Sequence, residues 1–107
     1  MRQSSASELA ALLAAPEQAR PLLLDVREPW EFETCRIPGS VHIPMREVPA
    51  RYHEIDPGRT VVVVCHHGVR SMQVAMFLAY QGFEQVVNLH GGIDAWSRQV
   101  DASVPTY

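Results

Sequence analysis

Val61-Val62-Val63-Val64-Cys65-His66-His67-Gly68-Val69-Arg70-Ser71 is the stretch that decides the fold. Four β-branched residues in a row show no apolar–polar alternation. Both faces of this strand are therefore expected to be buried, as in the middle of a parallel sheet. A helix is expected from Ser71 to Gln81, with Gly82 as its C-cap. Met72, Val74, Ala75, Met76, Phe77, Leu78 and Ala79 leave it little polar surface, so it is expected to pack on several faces. Ligands of open parallel sheets sit beyond the carboxyl ends of the strands. Cys65 occupies that position, in a tight loop that opens a helix.

Working outward, the punctuation is regular. Ser5 and Glu8 form a capping box ahead of a helix that ends near Pro16. Leu22-Leu23-Leu24 is a short apolar run closed by Asp25. Pro29, followed by Glu31 and Glu33, has the pattern of a first helical turn, with proline at N1 and acids near the positive dipole end. Pro38-Gly39 turns into a short strand, Val41-His42-Ile43. A weaker helix runs from Arg46 to about Tyr52. Val86-Val87-Asn88-Leu89 is the next strand, and Gly91-Gly92 leads into a last helix carrying Trp96. Short buried strands alternating with helices specify an α/β sandwich, a small, mainly parallel sheet with helices on both faces. No linker or repeat interrupts residues 1–107, which read as one domain.

Composition removes several function classes. The formal charge of −3 disfavours nucleic-acid binding, which calls for a basic surplus. All nine basic residues are arginine, so a lysine base or Schiff-base enzyme is excluded. Two cysteines are too few for a disulfide scaffold or a four-cysteine zinc site. Cys65, His66 and His67 are adjacent loop residues, which rarely converge on one ion, so no metal is expected. The longest apolar run, Leu9–Ala15, has seven residues against the ~20 of a membrane span. Met1-Arg2 before that run faintly resembles a secretory signal, but Glu8 at its edge and the Leu9, Leu12, Leu13 stripe favour an ordinary amphipathic helix. The chain thus reads as cytoplasmic, where thiols stay reduced.

The chemistry concentrates on Cys65. Loop N–H groups, the helix dipole and the Arg70 guanidinium all favour a thiolate there, and protonated His66 and His67 would add to it. From Asp56 to Glu84 the chain holds Arg59, Arg70 and both histidines with no acid between them. The expected substrate is a small anion. Against this stands the plain reading of Cys65 as a buried, inert side chain; its place before His-His-Gly-x-Arg at a strand-to-helix junction favours catalysis.

At this point the sequence resembles the single-domain rhodaneses, the thiosulfate sulfurtransferase family. Leu24-Asp25-Val26-Arg27-Glu28-Pro29 with Glu31-Phe32 is similar to the family's first-strand signature. Ile37-Pro38-Gly39-Ser40-Val41-His42-Ile43-Pro44 is similar to its second, and Val64 to Ser71 to its active-site loop. Gly91-Gly92-Ile93-Asp94-Ala95-Trp96 is similar to its terminal signature. The resemblance implies the rhodanese α/β sandwich and a catalytic Cys65 that cycles through a persulfide, with no other cofactor. It also implies thiosulfate as the sulfur donor and cyanide or a thiol such as reduced thioredoxin as acceptor. His66, His67, Gly68, Val69, Arg70 and Ser71 would form the substrate-binding loop. In this reading, loop N–H groups hold the persulfide sulfur and Arg70 binds the sulfonate end. Ser71 caps the helix and donates a hydrogen bond, and the histidines line the mouth. Phosphatases with a similar cradle have one residue more between Cys and Arg than the four found here, so the smaller loop favours sulfur over phosphoryl transfer. A non-catalytic binding or redox-sensing module is the other alternative, disfavoured by the retained cysteine. Cys35-Arg36 stands where the family often has Gly-His, a departure that bears on local loop shape.

Other residues have plain readings. Asp25 and Arg27 are expected to be structural, the arginine in an ion pair. Ile93 and Trp96 anchor the last helix, and His42 and His90 have no assigned role. Arg36 is a solvated side chain. Cys35 is a surface or half-buried thiol rather than a partner that resolves the Cys65 persulfide.

Overall fold

The computed structural model describes residues 1–107. Five strands, β1 (Arg2–Ser4), β2 (Leu22–Asp25), β3 (Val41–His42), β4 (Val61–Val64) and β5 (Val86–Leu89), form one sheet in the order β1-β5-β4-β2-β3. Every neighbouring pair is parallel. The helices are α1 (Ala6–Leu13), α2 (Pro29–Thr34), α3 (Val48–Arg51), α4 (Val69–Tyr80) and α5 (Gly92–Gln99). The α/β sandwich expected from the sequence is the fold observed.

β4 lies at the centre, with Val62 opposite Leu23 on one side and Val87 on the other. All four of its valines are fully buried. The strand pleat sends them alternately to two cores. Val61 and Val63 join Leu24, Val74, Leu78 and Val86 beneath α3 and α4. Val62 and Val64 join Leu9, Leu89, Ile93 and Trp96 beneath α1 and α5. An unalternating β-branched run is the sequence form of such two-sided burial.

Local signals hold the helix starts in place. Glu8 N–H donates to Ser5 Oγ (3.1 Å) and Ser5 N–H donates back to Glu8 Oε1 (3.0 Å), which closes the capping box of α1. Pro29 occupies the first turn of α2, and Glu28 N–H donates to Glu31 Oε1 (2.9 Å).

Two expectations are corrected. β1 was not anticipated: Arg2-Gln3-Ser4 is polar and acquires its strand form only by pairing with β5. The second concerns α4, which begins at Val69 rather than Ser71, with Gly68 as N-cap. It buries only Ser71, Val74, Ala75 and Leu78, while Val69, Met76 and Tyr80 face solvent. Packing on several faces, expected to include Met76, does not occur, because one layer of helix on a sheet has just one inner face. No helix of the chain is long and apolar enough to cross a membrane.

This one-sided burial is measurable. Leu24→Ala, which empties a fully buried site, is expected to cost about 2–5 kcal/mol in urea denaturation. Met76→Ala on the outer face of α4 is expected to stay within about 0.5 kcal/mol of the parent.

Candidate active site

The chain leaves the carboxyl end of β4 at Val64 and re-enters regular structure at Val69, so Cys65, His66, His67 and Gly68 make the whole connection. Gly68 has φ +102°, the left-handed region. A side chain there would also press on Leu89 O and Gly91 N, at 3.2 and 3.3 Å. This turn aims the Gly68 N–H at Cys65 Sγ (3.1 Å). Cys65 is buried, and its thiol donates to Ser71 Oγ (3.2 Å). The Ser71 hydroxyl in turn donates to Asn88 Oδ1, while Asn88 Nδ2 donates to Gly68 O (3.2 Å) and Gln3 Oε1 (2.9 Å). Asn88 thus ties the loop, α4 and β1 together from inside β5. Ser71 does not cap the helix as expected; it sits within the first turn of α4, and its hydroxyl is turned inward to the cysteine.

A second support comes from α5. Ile93 N–H donates to Cys65 O (2.9 Å) and Asp94 N–H donates to His66 O (3.1 Å). The helix N-terminus therefore satisfies loop carbonyls that would otherwise be orphaned. Gly92 makes this approach possible. Its φ is +61°, and a Cβ there would collide with the carbonyl oxygens of Cys65 and His66.

The charges differ from the expectation of an acid-free positive field. Glu31, from α2, takes Arg70 in a two-point ion pair: Nη1 donates to Oε1 (2.6 Å) and Nη2 to Oε2 (2.8 Å). These bonds hold the Glu31 carboxyl down at about 2, against the opposing effect of burial and with help from Glu28 N–H and Tyr107. Beneath this pair, fully buried Arg27 donates to Asp25 through Nε (2.9 Å) and Nη2 (2.7 Å), the structural ion pair expected from the sequence. Its remaining donors go to Glu31 O (3.2 Å), Cys35 O (2.6 Å) and the Tyr107 hydroxyl (3.0 Å).

A protonated His66 would add to the positive field, but its surroundings disfavour that form. Its ring lies between those of His67 and Tyr107, both at 4.0 Å between centroids. Burial, and then the neighbouring His67, push its protonation below the ordinary histidine value. Its Nε2 is buried with no partner. His67 is exposed, 4.0 Å from Asp94. Val69 is exposed on α4 just outside the loop.

The remaining residues fall into place around this site. His42 Nε2 is hydrogen-bonded to Arg27 O (2.8 Å), and Arg36 lies exposed over the Phe32 ring, in keeping with a solvated side chain. Cys35 is buried rather than at the surface, in the α1/α5 core, whereas Cys65 faces the α3/α4 core across the sheet. Both are free thiols. No three His, Cys, Asp or Glu side chains are grouped to hold a metal ion.

The model of the rhodanese-like domain matches residues 5–99. The chain belongs to the rhodanese-like domain family. It is 40% identical over 87 residues to thiosulfate sulfurtransferase GlpE of Pseudomonas syringae, covering 76% of this chain and 82% of that one. It is 45% identical over 89 residues to the chloroplastic rhodanese-like/PpiC domain-containing protein 12 of Arabidopsis thaliana. That match takes in 79% of this chain and 30% of the longer relative. The crystal structure of a rhodanese-like domain protein from Staphylococcus aureus superposes with a TM-score of 0.85 at 28% identity, covering 100% of this chain and 99% of that one. A sulfurtransferase among the relatives supports sulfur transfer in general for this rhodanese-like chain, although the family also has non-catalytic members.

Two measurements check this architecture. Gly92→Ala is expected to destabilise the fold by more than about 2 kcal/mol in urea, since backbone must shift to admit the methyl. Glu31→Gln tests the ion pair through pH. The folded-state carboxyl lies below its ordinary 4.5, so its stabilisation is complete above that value. The stability gap between parent and variant should therefore be constant near neutrality and shrink as pH falls from about 4.5 towards 2.

Proposed function

We propose that this rhodanese-like protein is a sulfurtransferase that moves sulfane sulfur from thiosulfate to a nucleophilic acceptor through a persulfide on Cys65. The observation that carries the reading is the seating of Cys65 Sγ on the Gly68 N–H, in a four-residue loop at a strand end. The relative named as a thiosulfate sulfurtransferase supports the choice of donor.

In the first step the Cys65 thiolate attacks the outer sulfur of thiosulfate. The bond between that sulfur and the sulfonate sulfur breaks, and sulfite leaves with the electron pair. In the second step the acceptor, cyanide or a thiolate such as that of reduced thioredoxin, attacks the terminal sulfur. Cys65 leaves as thiolate, and no outside oxidant or bound cofactor is needed. Loop N–H groups hold the persulfide's terminal sulfur, as oxyanion-hole donors hold oxygen.

Ser71 serves both states of the cysteine. It accepts from the thiol while its own proton goes to Asn88. A rotation about its C–O bond turns that proton to the thiolate. Arg70 spends two of its five N–H donors on Glu31, which leaves three for the anionic end of the donor. His66 and His67 line the mouth as uncharged imidazole and exposed ring.

Incubation of the full chain with thiosulfate should add one sulfur atom to Cys65 by intact-mass and peptide analysis, and cyanide or a thiol should remove it. Steady-state kinetics should be ping-pong, and Cys65→Ser should lose at least about 10³-fold in turnover. A sequential mechanism with no transferable sulfur on the isolated protein, or a Cys65→Ser variant of normal activity, defeats the proposal, and a parent protein with neither turnover nor sulfur uptake favours a binding or redox-sensing module.

A further inference from the structure

Tyr107 is 37 residues beyond Arg70 in sequence, yet it is built into the wall of the site. Its hydroxyl donates to Glu31 Oε2 (2.7 Å) and accepts from Arg27 Nη1 (3.0 Å). Its ring lies nearly parallel to that of His66 (10° between planes) and meets Trp30 edge-on at 5.8 Å. Burial pushes the phenol up to about 12, so it keeps its proton as a donor. One side chain thus touches the buried Arg27–Asp25 pair, the Glu31–Arg70 pair and the loop histidine.

We infer that Tyr107 is a positioning residue for sulfur transfer, its hydroxyl holding Glu31, and through it Arg70, in place for an anionic donor while its ring fixes His66 against the loop. The inference rests on the sulfurtransferase reading. The two halves of the side chain do separable work. With the hydroxyl gone, Glu31 Oε2 loses one of its two donors and Arg27 Nη1 loses an acceptor, inside a buried network where unpaired groups are costly. Glu31 is then free to tilt, and Arg70 with it. Arg70 meets the anionic end of the donor equally in the ground and transition states, so its displacement weakens binding rather than slowing the chemistry. Without the ring, one face of His66 is open to water. The charged and titratable groups facing His66 are His67 and Arg70 from the loop and the start of α4, Glu31 from α2, Asp94 from α5, and Tyr107. Of these, Tyr107 supplies the cover.

The test compares Tyr107→Phe and Tyr107→Ala in the full chain. Tyr107→Phe should raise KM for thiosulfate about five- to tenfold with kcat within about twofold, and leave the NMR titration of the His66 imidazole unchanged. Tyr107→Ala should raise KM at least as far and also move the His66 titration upward, towards the ordinary histidine range. A Tyr107→Phe variant with the parent's KM, or a Tyr107→Ala variant with the parent's His66 titration, overturns the inference. If the parent protein gains no sulfur from thiosulfate, it is the sulfurtransferase reading that fails. The His66 titration, which needs no turnover, then decides whether Tyr107 organises the loop.

Discussion

β4 is paired along both edges and covered on both faces, so the chain leaving it has one exit, past the strand's carboxyl end. That exit is narrow. β5 and its following turn stand on one side, β2 and its turn on the other. The four-residue connection to α4 must turn at once, and Gly68 and Gly92 are where the backbone gives way. The geometry of the cysteine follows from this confinement. Its carbonyl is taken by α5, its sulfur is met by the Gly68 N–H, and its thiol reaches the only hydroxyl in the first turn of α4.

Around this exit the polar groups form a continuous sequence of partners rather than isolated pairs. Asp25 holds Arg27; Arg27 reaches Tyr107 and the carbonyls of Glu31 and Cys35; Tyr107 and Arg70 both hold the Glu31 carboxylate. A buried guanidinium at zero exposure is tolerable only because it has so many partners. What such a network contributes is definition of place rather than net stability, since a buried ion pair regains little more than its desolvation cost. At the mouth, definition of place is what a loop arginine needs.

Much of this was legible from the chain, and the reasons are local. Val61–Val64 encodes its own two-sided burial, Ser5 and Glu8 their own capping box, and the Cys-to-Arg spacing the size of the loop. What was not legible depends on partners distant in sequence. Glu31 lies 39 residues from Arg70, and nothing near either residue announces the pair. Asn88 looked like an ordinary strand residue because its partners, Ser71 and Gln3, come from other elements. Arg2-Gln3-Ser4 carries no strand pattern, and β5 imposes one. The outer face of α4 misleads for the opposite reason: Met76 has core chemistry without a core position. Composition alone does not say which side of a helix faces inward.

The pairing of β1 with β5 also sets an order of events. A ribosome delivers β1, β2, β3 and β4 well before β5, so β1 has no neighbour in the sheet until Val86–Leu89 has been made. The supports of the cysteine loop arrive in the same final stretch: Asn88, the N–H groups of Ile93 and Asp94, and last of all Tyr107. During synthesis Cys65 is therefore a thiol on an unfinished sheet. Gly68 and Ser71, its own neighbours in sequence, are made at once, and the supports from β5, α5 and Tyr107 are added to them afterwards.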